Sequence, residues 1–285
     1  MRWEFGRRST NVEDRRGTRL SAPVVGGGIG AVILSLVVAL LGGDPSVIWE
    51  QGQAPSDRPY SQSPQTQRSA GDDRMADFVS VVLADTEDTW RSLFQQRGQT
   101  YAEPTLVLYS DAVESACGFA RSAVGPFYCP SDQKLYIDLS FYEDLKTRHQ
   151  APGDFAQAYV IAHEVGHHVQ NLMGISNRVQ ALQRQADKVE ANQLSVRQEL
   201  QADCFAGIWA HHAERSRQVL ETGDVEEALN AASSIGDDRL QSQARGYVTP
   251  ESFTHGSSAQ RVRWFKRGIE TGDPAQCNTF AVKNL

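Results

Sequence analysis

The sequence predicts an α+β, predominantly helical domain that follows one transmembrane helix. Three observations lead to this prediction: an uncharged apolar run near the N-terminus, two short β-rich runs in the middle of the chain, and helical periodicity through most of the C-terminal half. The chain has 285 residues, of which 40% are hydrophobic and 22% are charged. That is enough for one well-buried domain of about 200 residues together with additional segments.

Charge is distributed unevenly along the chain. Residues 1–22 carry six arginines against two glutamates and one aspartate, which is a net +3. Since the whole chain has a formal net charge of -7, the remainder carries -10. An acidic domain of this kind lacks the basic surface that binds phosphate backbones, so we expect no nucleic-acid partner.

Residues 24–41 read VVGGGIGAVILSLVVALL and contain no charge. This run is close to the roughly 20 residues that a membrane-spanning helix needs, and we predict a transmembrane helix over residues 23–42. A cleaved signal peptide and a buried core helix are less favoured interpretations. The run continues into Gly42 and Gly43 without a small-residue cleavage site, and its glycines would make a poor helix in water.

The arginines before the apolar run predict its orientation. Because basic residues stay on the cytoplasmic side, residues 1–22 should form a basic cytoplasmic tail, and the bulk of the chain should lie outside the cytoplasm. Residues 43–73 contain four prolines among Gln and Ser residues, which predicts a flexible linker. Residues 74–285 then form the folded domain.

The domain should begin with an amphipathic helix over residues 74–97 that ends at Gly98. Two β-rich runs follow, and each predicts a strand. The first is TLVLYS, which starts at Thr105, and the second is KLYIDLSFY, which starts at Lys134.

Two longer helices come next in the predicted order. Residues 154–173 form the first, with Asp154 as its N-cap and Gly174 as its stop signal. Residues 176–215 form the second, with a bend near residues 192–195, where a serine can cap a new helix.

The first of these helices contains the pattern HEVGH. His163 and His167 lie one helical turn apart, about 40° from each other around the axis, so both imidazoles project from one face. Zinc is bound by such a pair. Glu164 is rotated by about 100° from His163, where it can act as the general base toward an attacking water rather than as a ligand.

The second helix offers a third ligand. Glu199 begins the pattern ELQAD, 32 residues after His167, and a catalytic zinc ion needs three protein ligands and an open position. Asp203, one turn later, can accept the free N–H of a ligand imidazole. A solvated helical face is the ordinary explanation for such a carboxylate pair, but the apolar neighbours indicate a buried helix.

The combination of HEVGH and ELQAD resembles the gluzincin metallopeptidases, in which two histidines and a downstream glutamate bind zinc. A closer resemblance is to the bacterial putative neutral zinc metallopeptidase family of single-pass membrane proteins. It rests on the stretches SACGFARSAVGPFYCPSDQKLYIDLSFY, VIAHEVGHHVQNLMG, LSVRQELQADCFAGIWA and FTHGSSAQRVRWFKRG, together with GTRL before the apolar run. The resemblance covers nearly the whole chain except the linker.

This resemblance implies a zincin-like domain and a membrane-anchored, zinc-dependent endopeptidase with one Zn²⁺ per chain. The substrate would be a peptide or protein of the cell envelope, outside the bacterial inner or plasma membrane. We expect the strand over residues 134–142 to border the cleft and to pair with an extended peptide. The alternative hypothesis is a non-catalytic or latent zinc-binding protein, tethered to the membrane, that acts through partner binding.

His255 follows a turn-rich segment and precedes a helix that should start near Ser258. In gluzincin-like enzymes a histidine or tyrosine beyond the zinc helices often stabilises the oxyanion, which implies that role for His255. A capping or core role is an equal alternative. Four other histidines stay outside the predicted site, because a histidine near a motif is more often a surface or supporting residue: His149, His168, His211 and His212.

Four cysteines suit two disulfides, provided that the domain is exported. Cys117 and Cys129 flank a Gly-Pro turn, and a bond between Cys204 and Cys277 would fasten the C-terminal segment to the second metal helix. Three pairings are possible, so the sequence leaves the connectivity open. If the orientation is reversed, four reduced thiols are expected instead.

Overall fold

The computed structural model describes residues 1–17 and 70–285. The predicted transmembrane helix, residues 23–42, lies outside the described residues, as does most of the predicted linker. Within the described ranges, no helix has the length and apolar character that a membrane crossing requires.

The described residues contain one mixed sheet and one small hairpin. The mixed sheet has the strand order β1-β2-β6-β5, in which β1, β2 and β6 are parallel and β5 runs antiparallel to β6. Strands β3 and β4 form the antiparallel hairpin. The strands are β1 Val12–Asp14, β2 Thr105–Tyr109, β3 Ala112–Ser115, β4 Gly118–Arg121, β5 Phe127–Cys129 and β6 Lys134–Asp138.

Helices make up most of the described residues, which confirms the predicted α+β, predominantly helical class. They are α1 Ala70–Gln96, α2 Ser140–Thr147, α3 Asp154–Leu172, α4 Ile175–Gln183, α5 Lys188–Arg217, α6 Asp224–Ser234, α7 Asp237–Arg245 and α8 Ser258–Thr271. Short 3-10 turns occur at Ser122–Val124, Pro250–Ser252 and Pro274–Cys277.

The centre of the fold is the contact between α3 and α5. Both helices belong to the main hydrophobic core, and α3 is buried on nearly all sides. Gly166 lies at the contact, where an added Cβ would be 3.0 Å from the carbonyl oxygen of Ala202. On the other side of α5, an added Cβ at Gly268 of α8 would be 2.0 Å from the carbonyl oxygen of Cys204. Glycine at these two positions therefore lets three helix backbones approach closely.

The second predicted strand is shorter than the sequence indicated. It ends at Asp138, and residues from Ser140 onward form α2 instead of continuing the strand to residue 142. The Asp138 carboxylate accepts hydrogen bonds from the backbone N–H of Ser140, at 2.9 Å, and of Asp111, at 2.8 Å. This carboxylate turns the chain, a local effect that the alternating apolar pattern did not reveal.

Two helix boundaries also differ from the prediction. Gly153, with φ of 121°, is the N-cap of α3, and Asp154 is the first helical residue. The predicted bend or interruption near residues 192–195 is wrong in position, since α5 is continuous there and the helical stretch is interrupted between Gln183 and Lys188. The start of α5 is set by Asp187, whose side chain accepts a hydrogen bond from the backbone N–H of Glu190 at 2.9 Å.

Residues 1–17 fold with the domain rather than as a separate tail. Strand β1 pairs with β2, with Val12 opposite Leu106. Trp3 lies in the main core, where its ring meets Phe78 of α1 edge-on at a centroid distance of 5.4 Å. Two of the arginines on which the predicted cytoplasmic tail rests, Arg7 and Arg8, pair with acidic residues of α1. Arg8 binds Asp77 through two hydrogen bonds, and further pairs are Arg7 with Glu87 and Arg7 with Asp88.

Replacing Trp3 should reveal this integration. We expect Trp3→Ala to lower the free energy of unfolding by about 3–5 kcal/mol, because it removes a large buried side chain from the core. Phe5→Ala is the matched control, since Phe5 is fully exposed and its loss should change stability by less than about 0.5 kcal/mol. Urea unfolding of the full chain, followed by circular dichroism, measures both. Equal stability of the two variants would contradict the packing of residues 1–17.

Candidate metal centre

Three side chains from two helices converge at one end of the α3–α5 contact. His163 and His167 come from α3, and Glu199 comes from α5. One donor atom from each of the three residues lies within 4.8 Å of the other two. The Glu199 carboxylate faces both rings, with Oε2 3.1 Å from His163 Nε2 and Oε1 3.3 Å from His167 Nε2. The helical spacing of the sequence motif has therefore placed both imidazoles toward the same carboxylate.

The other nitrogen of each imidazole is already engaged. His163 Nδ1 lies 2.8 Å from Asp203 Oδ1, and His167 Nδ1 lies 2.9 Å from Gln170 Oε1. Such outer partners fix the ring orientation and leave Nε2 as the nitrogen that can bind a metal. Two imidazole nitrogens and one carboxylate are the ligand set of a catalytic zinc site. The donor chemistry of this cluster therefore fits zinc.

Asp203 is the centre of a buried charged network behind His163. It is fully buried and accepts hydrogen bonds from the Tyr159 hydroxyl at 2.5 Å and from Arg261 Nε and Nη2 at 2.9 and 2.8 Å. Burial by itself would raise the pKa of Asp203, but the charges of Arg261 and His163 lower it to about 2. Asp203 therefore stays ionised and holds the Nδ1 side of His163.

Tyr159 and Arg261 were missed by the sequence interpretation. Tyr159 lies one turn before His163 on α3, so helical spacing could have placed it beside that histidine. Arg261 belongs to α8, which is remote in sequence. This helix carries several basic residues, so the sequence does not distinguish Arg261 from the others, and only the tertiary fold connects it with Asp203.

The electrostatics of the ligand cluster reflect its buried charges. Burial alone would lower the pKa of His163, but Asp203 and Glu199 raise it to about 10. Burial would raise the pKa of Glu199, whereas the two histidines hold it well below its usual value. The opposite charges of the histidines and Glu199 thus favour the imidazolium and carboxylate forms of each other. A cation that binds there at neutral pH must displace protons from the histidines.

Glu164 lies beside this cluster and differs from Glu199 in its environment. It is buried, and burial raises its pKa despite the opposing effect of His167 and His163. A carboxyl group whose pKa is moved toward neutrality can accept and return a proton in the same reaction.

His255 lies in the loop before α8, which packs against the segment of α5 that carries Glu199. Its Nδ1 lies 3.2 Å from Asp237 Oδ1, and the Asp237 carboxylate also accepts backbone N–H groups of the same loop. Burial would lower the pKa of His255, but hydrogen bonding to Asp237 and the nearby charge of Glu199 raise it. The next residue, Gly256, packs against α5, since an added Cβ there would be 3.2 Å from Leu200, the neighbour of Glu199. Asp237 was not predicted from the sequence.

The candidate site is thus built from an HEVGH helix that faces an ELQAD helix. The family model described as Putative neutral zinc metallopeptidase matches residues 1–280. The chain belongs to this zinc metallopeptidase family.

Relatives of this metallopeptidase occur in distant bacteria. The uncharacterized protein YpfJ of Escherichia coli K12 is 54% identical over 288 aligned residues, which cover 98% of this chain and 99% of the relative. The uncharacterized protein Rv2575 of Mycobacterium tuberculosis H37Rv is 42% identical over 218 residues, 73% of each chain. No solved structure matches the chain.

Three of the four remaining histidines make hydrogen bonds that hold other parts of the fold together. His168 is fully buried between Tyr128 and the Ala102 carbonyl, with its Nε2 2.6 Å from that oxygen. His211 and His212 of α5 bind backbone carbonyls at the end of α8, each at 2.8 Å. His149 lies in the loop before α3 and is half-buried.

Both disulfides that the sequence suggested are present. Cys117 is bonded to Cys129 and Cys204 to Cys277, which resolves the three possible pairings. The second bond attaches the C-terminal segment to α5, one residue after Asp203.

Both β5 and β6 contact α3, but β5 is an edge strand of the sheet and β6 is internal. Strand β6 is paired with β2 on one side and with β5 on the other, so the prediction that it pairs with a peptide is wrong. Strand β5 forms the edge of the sheet, and Tyr128 of this strand accepts a hydrogen bond from Asn171 of α3 at 3.1 Å. The short β5 segment was missed because three residues give too little alternation to predict a strand.

Proposed function

We propose that this chain is a zinc-dependent endopeptidase with a zincin-like active site, which hydrolyses peptides or proteins of the cell envelope. The observation that carries the proposal is the convergence of His163, His167 and Glu199 with Glu164 on the same helix as the two histidines. A purely structural metal site needs ligands only and has no use for a buried carboxyl group with a raised pKa beside them.

In this proposal His163, His167 and Glu199 hold the ion, and Asp203 and Gln170 orient the two rings. A bound zinc ion supplies Lewis acidity, which makes water more acidic and polarises a carbonyl group. Glu164 accepts the proton of the attacking water and returns it to the nitrogen of the leaving amine. The raised pKa of Glu164 favours this second transfer, because the protonated form must be available to donate.

His255 is assigned to the oxygen of the scissile carbonyl, which gains negative charge as water attacks. A hydrogen-bond donor placed there before the reaction stabilises the transition state more than the ground state. Asp237 favours this role because it binds Nδ1 and leaves Nε2 as the donor. The raised pKa of His255 keeps a positive charge on the ring available.

The location of the domain is a separate part of the proposal. Two disulfides favour an oxidising compartment outside the cytoplasm. A single membrane crossing between residues 17 and 70 would put β1 and β2 on opposite sides, whereas the two strands are paired. We therefore place residues 1–17 in the same compartment as residues 70–285, which revises the expectation of a cytoplasmic tail. Membrane attachment through residues 23–42 stays a prediction.

Glu164→Gln tests the catalytic assignment. We expect bound zinc near one per chain in both proteins and a loss of peptide hydrolysis of at least about 100-fold in the variant, since an amide cannot accept the proton. Metal analysis and cleavage of an unstructured protein measure the two properties. Glu190→Gln, at an exposed position of α5, is the control and should keep activity. Zinc without activity in the unmodified chain would favour the non-catalytic hypothesis, and absence of zinc would contradict the ligand set.

His255→Gln tests the oxyanion assignment. Removal of one such donor should reduce kcat by about 10²–10³-fold without loss of zinc, because His255 is not a ligand. His211→Gln is the control, since His211 binds a backbone carbonyl of α8 away from the cluster. Steady-state kinetics with a fluorogenic peptide give kcat and KM. An unchanged kcat would assign His255 to packing instead.

Labelling of two engineered cysteines tests the compartment. Thr10→Cys and Lys283→Cys lie at exposed positions, and both should react with a membrane-impermeant maleimide on intact spheroplasts of the host cell. The unmodified chain is the background control, because its four cysteines form disulfides and should not react. Labelling at residue 283 alone would support the original prediction of a cytoplasmic tail. Labelling at neither residue would contradict an extracytoplasmic domain.

A further inference from the structure

Two buried glutamines connect a candidate zinc ligand to the C-terminal segment. Gln170 lies on α3, three residues after His167, and Gln201 lies on α5, two residues after Glu199. Both side chains are almost completely buried. Burying an amide side chain costs little free energy only where its N–H donors and its oxygen have hydrogen-bond partners. The partners of these two residues therefore indicate their structural role.

Hydrogen bonds run in one direction through these amides. His167 Nδ1 lies 2.9 Å from Gln170 Oε1. The Gln170 amide nitrogen donates to Gln201 Oε1 at 3.0 Å and to the Gln198 carbonyl at 2.7 Å. The Gln201 amide nitrogen donates to the Cys277 carbonyl at 2.9 Å. We call Gln170 and Gln201 the amide chain.

The amide chain fixes which nitrogen of His167 is free. Both donors of Gln170 are used on carbonyl oxygens, so its own oxygen is the group that faces His167. An acceptor at that position requires a hydrogen on Nδ1, and Nε2 is then left with its lone pair toward the metal position.

The far end of the amide chain is held in three ways. The Cys204–Cys277 disulfide bonds the Cys277 residue to α5. The Thr279 hydroxyl donates to the Arg197 carbonyl at 2.6 Å, and Arg197 donates to the carbonyls of Thr279 and Val282. The Cys277 carbonyl, which accepts the hydrogen bond from the Gln201 amide, is therefore held in place.

We propose that the C-terminal segment, residues 274–285, is part of the metal centre, with Gln170 and Gln201 as positioning residues for His167 and the Cys204–Cys277 disulfide as their anchor. This rests on the proposed zinc site. The two histidines have separate supports: His163 is oriented by the charged network of Asp203 and Arg261, whereas His167 depends on a neutral chain that ends on the C-terminal segment. Loss of the disulfide should therefore weaken zinc binding through His167.

Zinc affinity of glutamine variants tests the proposal. Gln170→Leu and Gln201→Leu should each weaken zinc binding by about 10–100-fold, the usual effect of losing an outer partner of a metal-bound histidine. Gln198→Leu is the matched control, because that side chain lies on the same helix but reaches Ser176 instead of the amide chain. Competition with a chromophoric chelator gives the affinities. The visible spectrum of the Co²⁺-substituted protein should change in the two test variants alone.

A disulfide pair supplies the second comparison. Cys204→Ala with Cys277→Ala should weaken zinc binding by about 10-fold or more, whereas Cys117→Ala with Cys129→Ala should leave it unchanged. If the first double variant does not fold, the glutamine variants still decide, provided that their metal-free melting temperatures match that of the unmodified chain.

The outcomes separate this proposal from the proposed function. Wild-type zinc affinity and Co²⁺ spectra in both glutamine variants would overturn the positioning role. Zinc binding that is sensitive to the amide chain, without peptide hydrolysis, would support the positioning role and overturn the endopeptidase proposal. Absence of zinc binding by the unmodified chain would overturn both.

Discussion

The close contact of α3 with α5 is the constraint on which the rest of the site depends. Gly166 stands between His163 and His167 along α3, and the backbone of Ala202 lies against it. A side chain there would require the two helices to separate by a few tenths of an ångström. Such a separation would move Glu199 relative to the two imidazoles, whereas zinc needs its nitrogen and oxygen ligands at about 2 Å. The glycine of HEVGH is thus required for the packing of α3 against α5, and the geometry of the candidate zinc site depends on that packing.

The same contact explains why so many charges can be buried together. Asp203, Arg261, His163 and Glu199 would each be costly in isolation, since desolvation of one ion costs several kcal/mol. Here each charge has an opposite charge and a hydrogen bond within reach. The network is therefore stable only as a set. It also requires α8, which supplies the arginine and approaches α5 through a second glycine contact.

The sequence predicted the parts of the site that depend on local geometry. HEVGH places two histidines on one helix face whatever the fold, and the apolar surroundings of ELQAD identified a buried acidic residue. Contributions from remote segments were not predictable in this way. Arg261, Asp237 and the two glutamines acquire their roles only when α3, α5, α7 and α8 are packed together.

The fold shows the same division between local and remote information. The long periodic helices were predicted, including α1, α3 and α8. The errors arose where a single side chain redirects the backbone, as at Asp138 and Asp187, or where a strand has three residues. The predicted cytoplasmic tail rested on arginines near the apolar run, and only the tertiary structure shows that Arg7 and Arg8 pair with acidic residues of α1.

The position of β1 has a practical consequence for handling the protein. A chain that is shortened to begin after the apolar run would lack β1 and would expose the parallel edge of β2, whose residues Leu106, Val107 and Leu108 are fully buried in the intact fold. An uncovered apolar edge of this kind recruits strands from other molecules and leads to aggregation. A soluble version is better made by replacing the apolar run with a polar connection of suitable length, so that residues 1–17 remain covalently joined to the sheet they complete.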